Sequence, residues 1–189
     1  MNRDDIKWLV LQELGVSERP DFNSSDSNEV KIINNQYEFI LGVALEKYHW
    51  GFATKQTGLT KTAITDKKYS YSYDLPSDCL FVKCIYSDIK LTAPIMDFEI
   101  YDDKIYTNSA SLYLDYVVKK CEEQLPYYFI NYLKYLMART LCHKITGDIQ
   151  LEQILIANEQ REYIEATNCD VRSKAIKVLP TGVFVDVRN

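Results

Sequence analysis

The stretch that decides the fold is residues 68–86, "KYSYSYDLPSDCLFVKCIY". Tyr69, Tyr71 and Tyr73 fall at every second position, and side chains alternate along a strand, so on a strand they share one face. Leu75, Pro76, Ser77 and Asp78 break the run. An apolar segment follows, on which Leu80, Val82 and Cys84 build the inner face of a second strand. The pattern predicts two strands meeting at a corner, with strand chemistry continuing to about residue 120 in "FEIYDDKIYTN" and "SLYLDYVVKKC". Asp102 and Asp103 stand between two Tyr-bearing strands, as a hairpin turn requires. Connections this short exclude crossover helices, so four to six mostly antiparallel strands are expected.

Helical patterns lie on either side. Residues 4–14 carry Ile6, Leu9, Val10 and Leu14 on one side, with Gly15 placed to end the helix. After a polar loop, one of residues 24–27 caps a longer helix reaching about Tyr48. On it Ile33, Tyr37, Ile40, Leu41, Ala44 and Tyr48 recur at helical spacing. Pro126 opens "PYYFINYLKYLMARTLCHKIT", whose stripe runs through Phe129, Ile130, Leu133, Leu136, Met137, Thr140 and Leu141. Gly147 ends that helix and Asp148 caps the next, to about residue 172. The two late helices are expected to pack on the long early one. Together these elements give an α+β fold. Residues 1–51 and 121–172 form a helical bundle, residues 52–120 a β-rich region, and residues 173–189 an extended C-terminal tail.

Composition narrows the function. The chain has 189 residues, 47% hydrophobic and 26% charged, enough to bury a core, and its formal charge is −5. That sign disfavours a clamp on phosphate backbones. No apolar run is long enough to span a membrane, so no membrane partner is expected. The first residues, "MNRDDIKWLV", show no apolar h-region, so no secretory leader is expected, and five scattered cysteines read as reduced thiols made in a cytosol. Catalytic constellations are missing. Cys142 and His143 are neighbours about 100° apart on a helix and do not meet. The isolated His49 and His143 make a poor metal site. Asp102 and Asp103 serve their turn, and no glycine-rich phosphate loop occurs. No catalytic residue, metal or cofactor is expected.

Fifteen tyrosines remain. A sheet face of aromatics can stack single-stranded bases, but such platforms are framed by Lys and Arg, and only Lys67, Lys68 and Lys83 lie near. Packing against a neighbouring strand or subunit is the favoured role for Tyr69, Tyr71 and Tyr73.

The order of parts resembles the head–tail adaptor proteins of tailed phages, of the tail tubular protein A (gatekeeper) type. The resemblance covers roughly residues 5–170. It rests on the helix ending "LGV", the long helix closing in a Trp-x-Phe-Ala element (Trp50, Phe52, Ala53) and the Leu-Pro-x-Asp corner (Leu75, Pro76, Asp78). A strand with Tyr113 and Tyr116 follows, then Leu125 and Pro126 before a helix pair. It implies a structural virion protein without enzymatic activity, assembled in the bacterial cytoplasm. Copies would form a homo-oligomeric ring, a dodecamer, beneath the portal protein and above a downstream tail or nozzle protein. DNA would pass through the channel without specific binding. A stopper or other neck ring, and less favourably a nucleic-acid-binding module, are the alternatives. Trp50 and Phe52 are expected to pin the long helix to the strand region.

The tail holds strand-forming Val183, Phe184, Val185 and Val187, with Arg172, Lys174, Lys177 and Arg188 making it basic. An isolated apolar strand is unstable in water. The tail is therefore expected to dock on the portal or an adjacent copy, strand addition being one route. Folding back on its own bundle is the alternative.

Overall fold

The computed structural model describes residues 1–24, 27–62 and 68–173. Among these residues four helices, α1 (Arg3–Glu13), α2 (Asn28–Glu46), α3 (Tyr127–Ile145) and α4 (Ile149–Ser173), flank seven strands. The strands are β1 (Thr54–Leu59), β2 (Lys61–Thr62), β3 (Tyr71–Asp74), β4 (Cys79–Tyr86), β5 (Phe98–Tyr101), β6 (Lys104–Thr107) and β7 (Leu112–Val118). The fold is α+β, and every strand pairing among the described residues is antiparallel.

Local chemistry sets the helix ends. Asn2 and Asp5 form a capping box at the start of α1, the Asn2 side chain accepting from the Asp5 N–H at 2.8 Å. Gly15, at φ 87°, closes α1, and the Val16 N–H returns to Leu11 O at 3.0 Å. Ser27 caps α2. Between α3 and α4, Gly147 takes φ 66°, and the Asp148 carboxylate accepts from the Gln150 and Leu151 N–H groups at 2.8 and 3.1 Å.

α3 is the central helix, packing against α1, α2 and α4. The expectation that both late helices lie on α2 is therefore half met. α3 does so, whereas α4 packs on α3 and on the 3-10 turn Gly51–Ala53, touching the end of α2 through a Lys47–Glu159 ion pair of 2.9 Å. Within the predicted α3 stripe, Thr140 is exposed. Its hydroxyl donates to Leu136 O at 2.7 Å, so the backbone of its own helix satisfies it.

The strands form two sheets, ordered β1-β7-β4 and β2-β3-β6-β5. There are more strands than expected because β1, "TKQTGL", is polar, as suits an edge strand with one row of backbone groups toward water. β7 organises both cores. Leu112, Leu114, Tyr116 and Val118 join Tyr73, Ile85 and Ile105 between the sheets, while Val117 on the opposite face enters the helical core. One strand thereby fastens the two layers together.

The corner strand departs from simple alternation. β4 shifts register between Cys79 and Phe81 and again between Val82 and Cys84. The second bulge moves the buried position to Ile85, which is fully enclosed, leaving Cys84 half-buried. Leu80 turns to the helical core and Val82 to the inter-sheet core. The predicted hairpin at Asp102 and Asp103 is present. Both residues have positive φ (50° and 54°), the signature of a tight two-residue turn matched to strand twist.

Candidate functional site

The residues singled out in the sequence lie at two joints. At the first, α2 ends and the chain turns through Trp50, Gly51, Phe52 and Ala53 into β1. Trp50 is fully buried, and its indole N–H donates to Ala44 O at 2.9 Å. Rings surround it: Tyr48 at 4.9 Å between centroids, Phe129 at 5.0 Å, Phe52 at 5.9 Å, Tyr132 at 6.0 Å and Tyr163 at 6.5 Å. Several of these contacts are edge-on, the arrangement ring quadrupoles favour. Trp50 was expected to pin α2 to the strands. Its ring partners instead come from α3, α4 and its own turn (Tyr48 and Phe52), because the chain has not yet left the bundle where Trp50 sits. Phe52, half-buried, extends the cluster to Phe129 and Tyr128 at 5.0 and 6.2 Å.

Asp170 of α4 fastens this joint. Its carboxylate, fully buried, accepts from the Gly51 N–H at 2.9 and 3.0 Å and from the Tyr128 hydroxyl at 3.1 Å. Burial first, then the Asp170 charge, pushes the Tyr128 phenol up to about 12. About three turns earlier on α4, buried Glu159 pairs with Lys47, which lies over the rings of Tyr163 (4.5 Å) and Tyr132 (5.4 Å). Sequence reading missed Asp170 and Glu159. The signal was two acids on the stripe of α4 that also holds Leu155 and Ala166, a buried placement that demands partners.

The second joint is the Leu-Pro-Ser-Asp corner. Leu75 N–H donates to Asp103 O at 2.9 Å, tying the corner to the hairpin tip, and Cys79 N–H closes the turn on Pro76 O at 2.9 Å. Asp78 pairs with Lys55 of β1 at 2.8 Å and accepts from the Tyr116 hydroxyl of β7 at 3.1 Å. The Lys55 bond, assisted by Tyr116, holds the Asp78 carboxyl below its ordinary range. Leu75, Pro76 and Asp78 thus lock three strands at one vertex.

The tyrosine row is packed into the fold. Tyr73 is fully buried and donates its hydroxyl to Ser109 O at 2.9 Å; Tyr69 is buried beneath Lys68; Tyr71 is half-buried, with Lys61 4.4 Å above its ring. The rings of Tyr69 and Tyr73 are unavailable for stacking on bases. Val183, Phe184 and Val185 lie outside the described residues.

Elsewhere, Cys142 is buried with its sulfur 3.3 Å from the Thr146 hydroxyl, while His143 is exposed. Among the described residues no group of three His, Cys, Asp or Glu side chains could hold a metal, and no helix is long and apolar enough to cross a membrane. Large apolar side chains stand in water instead. They include Phe39 and Val43 on α2, Ile149, Ile164 and Val171 on α4, and Ile89 and Met96 in the sheet region. On α4 the latter three residues lie within about 60° of one another around the axis, at about 100° per residue. What this arrangement can do is hold a rigid shape and present apolar helix faces; among the described residues it offers no convergent set of reactive groups. No family model and no curated protein sequence matches the chain.

Proposed function

We propose that the chain is a subunit of a head-to-tail adaptor ring, a structural virion protein. It would bind the portal above, other copies of itself at the sides and the next tail or nozzle component below, with DNA passing through the central channel. One observation carries this reading: the motif residues that make the sequence resemble phage adaptors are packing joints, one set within the helical bundle and one among the strands. Trp50 and Phe52 lock the bundle, and Leu75, Pro76 and Asp78 lock the sheets. Motifs spent on joints suit a scaffold, whose work is shape.

Two further features support it. Exposed apolar residues on α2 and α4 provide distinct lateral faces, which a closed cyclic ring needs because its contacts are heterologous. A formal charge of −5 suits a tube that must let DNA slide. A stopper or other neck ring would share these features and differ in stacking order.

Omitting the protein from assembling particles tests the reading. The expected result is DNA-filled heads that carry the portal, lack the tail and lose their genome. Normal tailed particles would refute it. A salt-dependent shift on single-stranded DNA at physiological ionic strength would favour a nucleic-acid-binding module.

A further inference from the structure

Two helix faces turned away from the core carry stripes that match one another. On α2, Asn28, Ile32, Asn35, Phe39, Val43 and Glu46 lie within about 40° of Phe39 around the axis, at about 100° per residue. They stand opposite the buried Tyr37 and Leu41. Phe39 is 69% exposed, and of the six only Ile32 is half-buried. On α4, Gln153, Ala157, Gln160, Ile164, Asn168 and Val171 lie within about 40° of Ile164, opposite the buried Leu155 and Ala166. All six are exposed, Ile164 at 60%. The chain is 26% charged, yet Glu46 carries the single charge on these two stripes. Amide and aliphatic groups with charge depleted are the composition of an interface centre rather than of a solvated face.

The stripes also agree in register. Both advance by alternating steps of three and four residues, the spacing of a helix–helix seam. With the helices laid parallel and Phe39 on Ile164, a constant offset sets Asn28 on Gln153, Ile32 on Ala157, Asn35 on Gln160 and Val43 on Asn168. Amides then face amides in two layers, and apolar groups face apolar groups in two. At the end of the seam Glu46 comes beside Arg172, which is exposed next to Val171, so opposite charges meet there. In an antiparallel pairing Glu46 would fall on the first half of α4, away from Arg172. The seam is about 27 Å long at 1.5 Å per residue. One such contact buries on the order of 800 Å², short of the ~1,000 Å² of a stable pair. A pair of copies leaves one stripe of each uncovered. Repetition head to tail until a cycle closes covers both stripes of every copy.

We propose that the α2 stripe of one copy packs in parallel on the α4 stripe of a second copy, Phe39 against Ile164, and that this heterologous contact repeats around the ring. The contact rests on the adaptor reading for the closed ring and adds to it the two lateral faces.

Light scattering of the full chain without the portal, at concentrations up to several hundred micromolar, tests the contact through charges placed at its centre. The wild type should rise in mass above its 22.0 kDa monomer as concentration increases. Phe39→Lys and Ile164→Glu should each weaken association at least about a hundredfold. Both positions are exposed, so the helical circular dichroism should stay unchanged. Phe39→Lys combined with Ile164→Glu sets opposite charges together at every contact and should recover at least about tenfold. Phe39→Lys combined with Ile164→Lys should not recover. A wild type that keeps the monomer mass throughout would overturn the proposal, as would single variants that associate like the wild type. Failure of the opposite-charge pair to recover would also overturn it, since α2 would then not face α4. None of these outcomes decides the adaptor reading, because a ring with other lateral faces would still form on the portal and show in the mass of the mixture.

Discussion

Replacing Trp50 by alanine measures how much the first joint holds. The indole is fully buried, five rings lie within 6.5 Å of it, and its N–H satisfies the Ala44 carbonyl at 2.9 Å. Large aromatic-to-alanine changes in cores cost about 3–5 kcal/mol. This site belongs near the top of that range. Its neighbours come from α2, α3, α4 and the 3-10 turn, so no single element can move in to fill the void. A cost of about 4–5 kcal/mol would remove about a quarter or more of a domain's usual ~5–15 kcal/mol. In urea, with a slope near 2 kcal/mol per M, the midpoint should fall by about 2 M. Circular dichroism at 222 nm gives the transition, and Trp8 remains as a fluorescence reporter. Trp50→Phe keeps a ring and should cost less than half as much. A fall below about 0.5 M for Trp50→Ala at unchanged slope would show that the indole does not hold the joint.

Other perturbations address other parts of the account. Asp103→Gly should stabilise the protein by about 0.5–1 kcal/mol in the same urea assay, because glycine takes the left-handed backbone at φ 54° without steric cost; destabilisation would mean the carboxylate has a role there. The Tyr128 phenol is raised to about 12 in the fold, against an ordinary ~10, so the folded state favours the protonated ring. Its contribution is full below about pH 10 and lost as pH climbs toward 12. Tyr128→Phe should therefore flatten the fall of melting temperature with pH in that window, and an unchanged slope would contradict the burial of the Tyr128 phenol beside Asp170.

The helices were legible because their signals are local. Terminating glycines at Gly15 and Gly147 and the capping Asp148, together with apolar spacing on α2 and α3, read directly as caps and stripes. The Asp102–Asp103 hairpin was legible for the same reason. What could not be read depends on distant partners. The bulges of β4 hand the buried position from Cys84 to Ile85, and no periodicity count contains a bulge. β1 lacks strand formers and exists because β7 offers it an edge. The Trp50 site was found, but its partners on α3 and α4 lie far along the chain. Asp170 looked like one more acid on a polar helix until Gly51 and Tyr128 were brought to it.

The proposed role is that of a fold repeated around an axis and standing on a portal. The mass of the protein alone, and mixed with the portal ring of the same particle, tests it most directly. The account predicts a defined complex in which the copies added match the symmetry of the portal, formed from subunits whose helical signal is unchanged. A mixture in which the portal ring keeps its own mass, with this protein free beside it at saturating concentration, would contradict the claim.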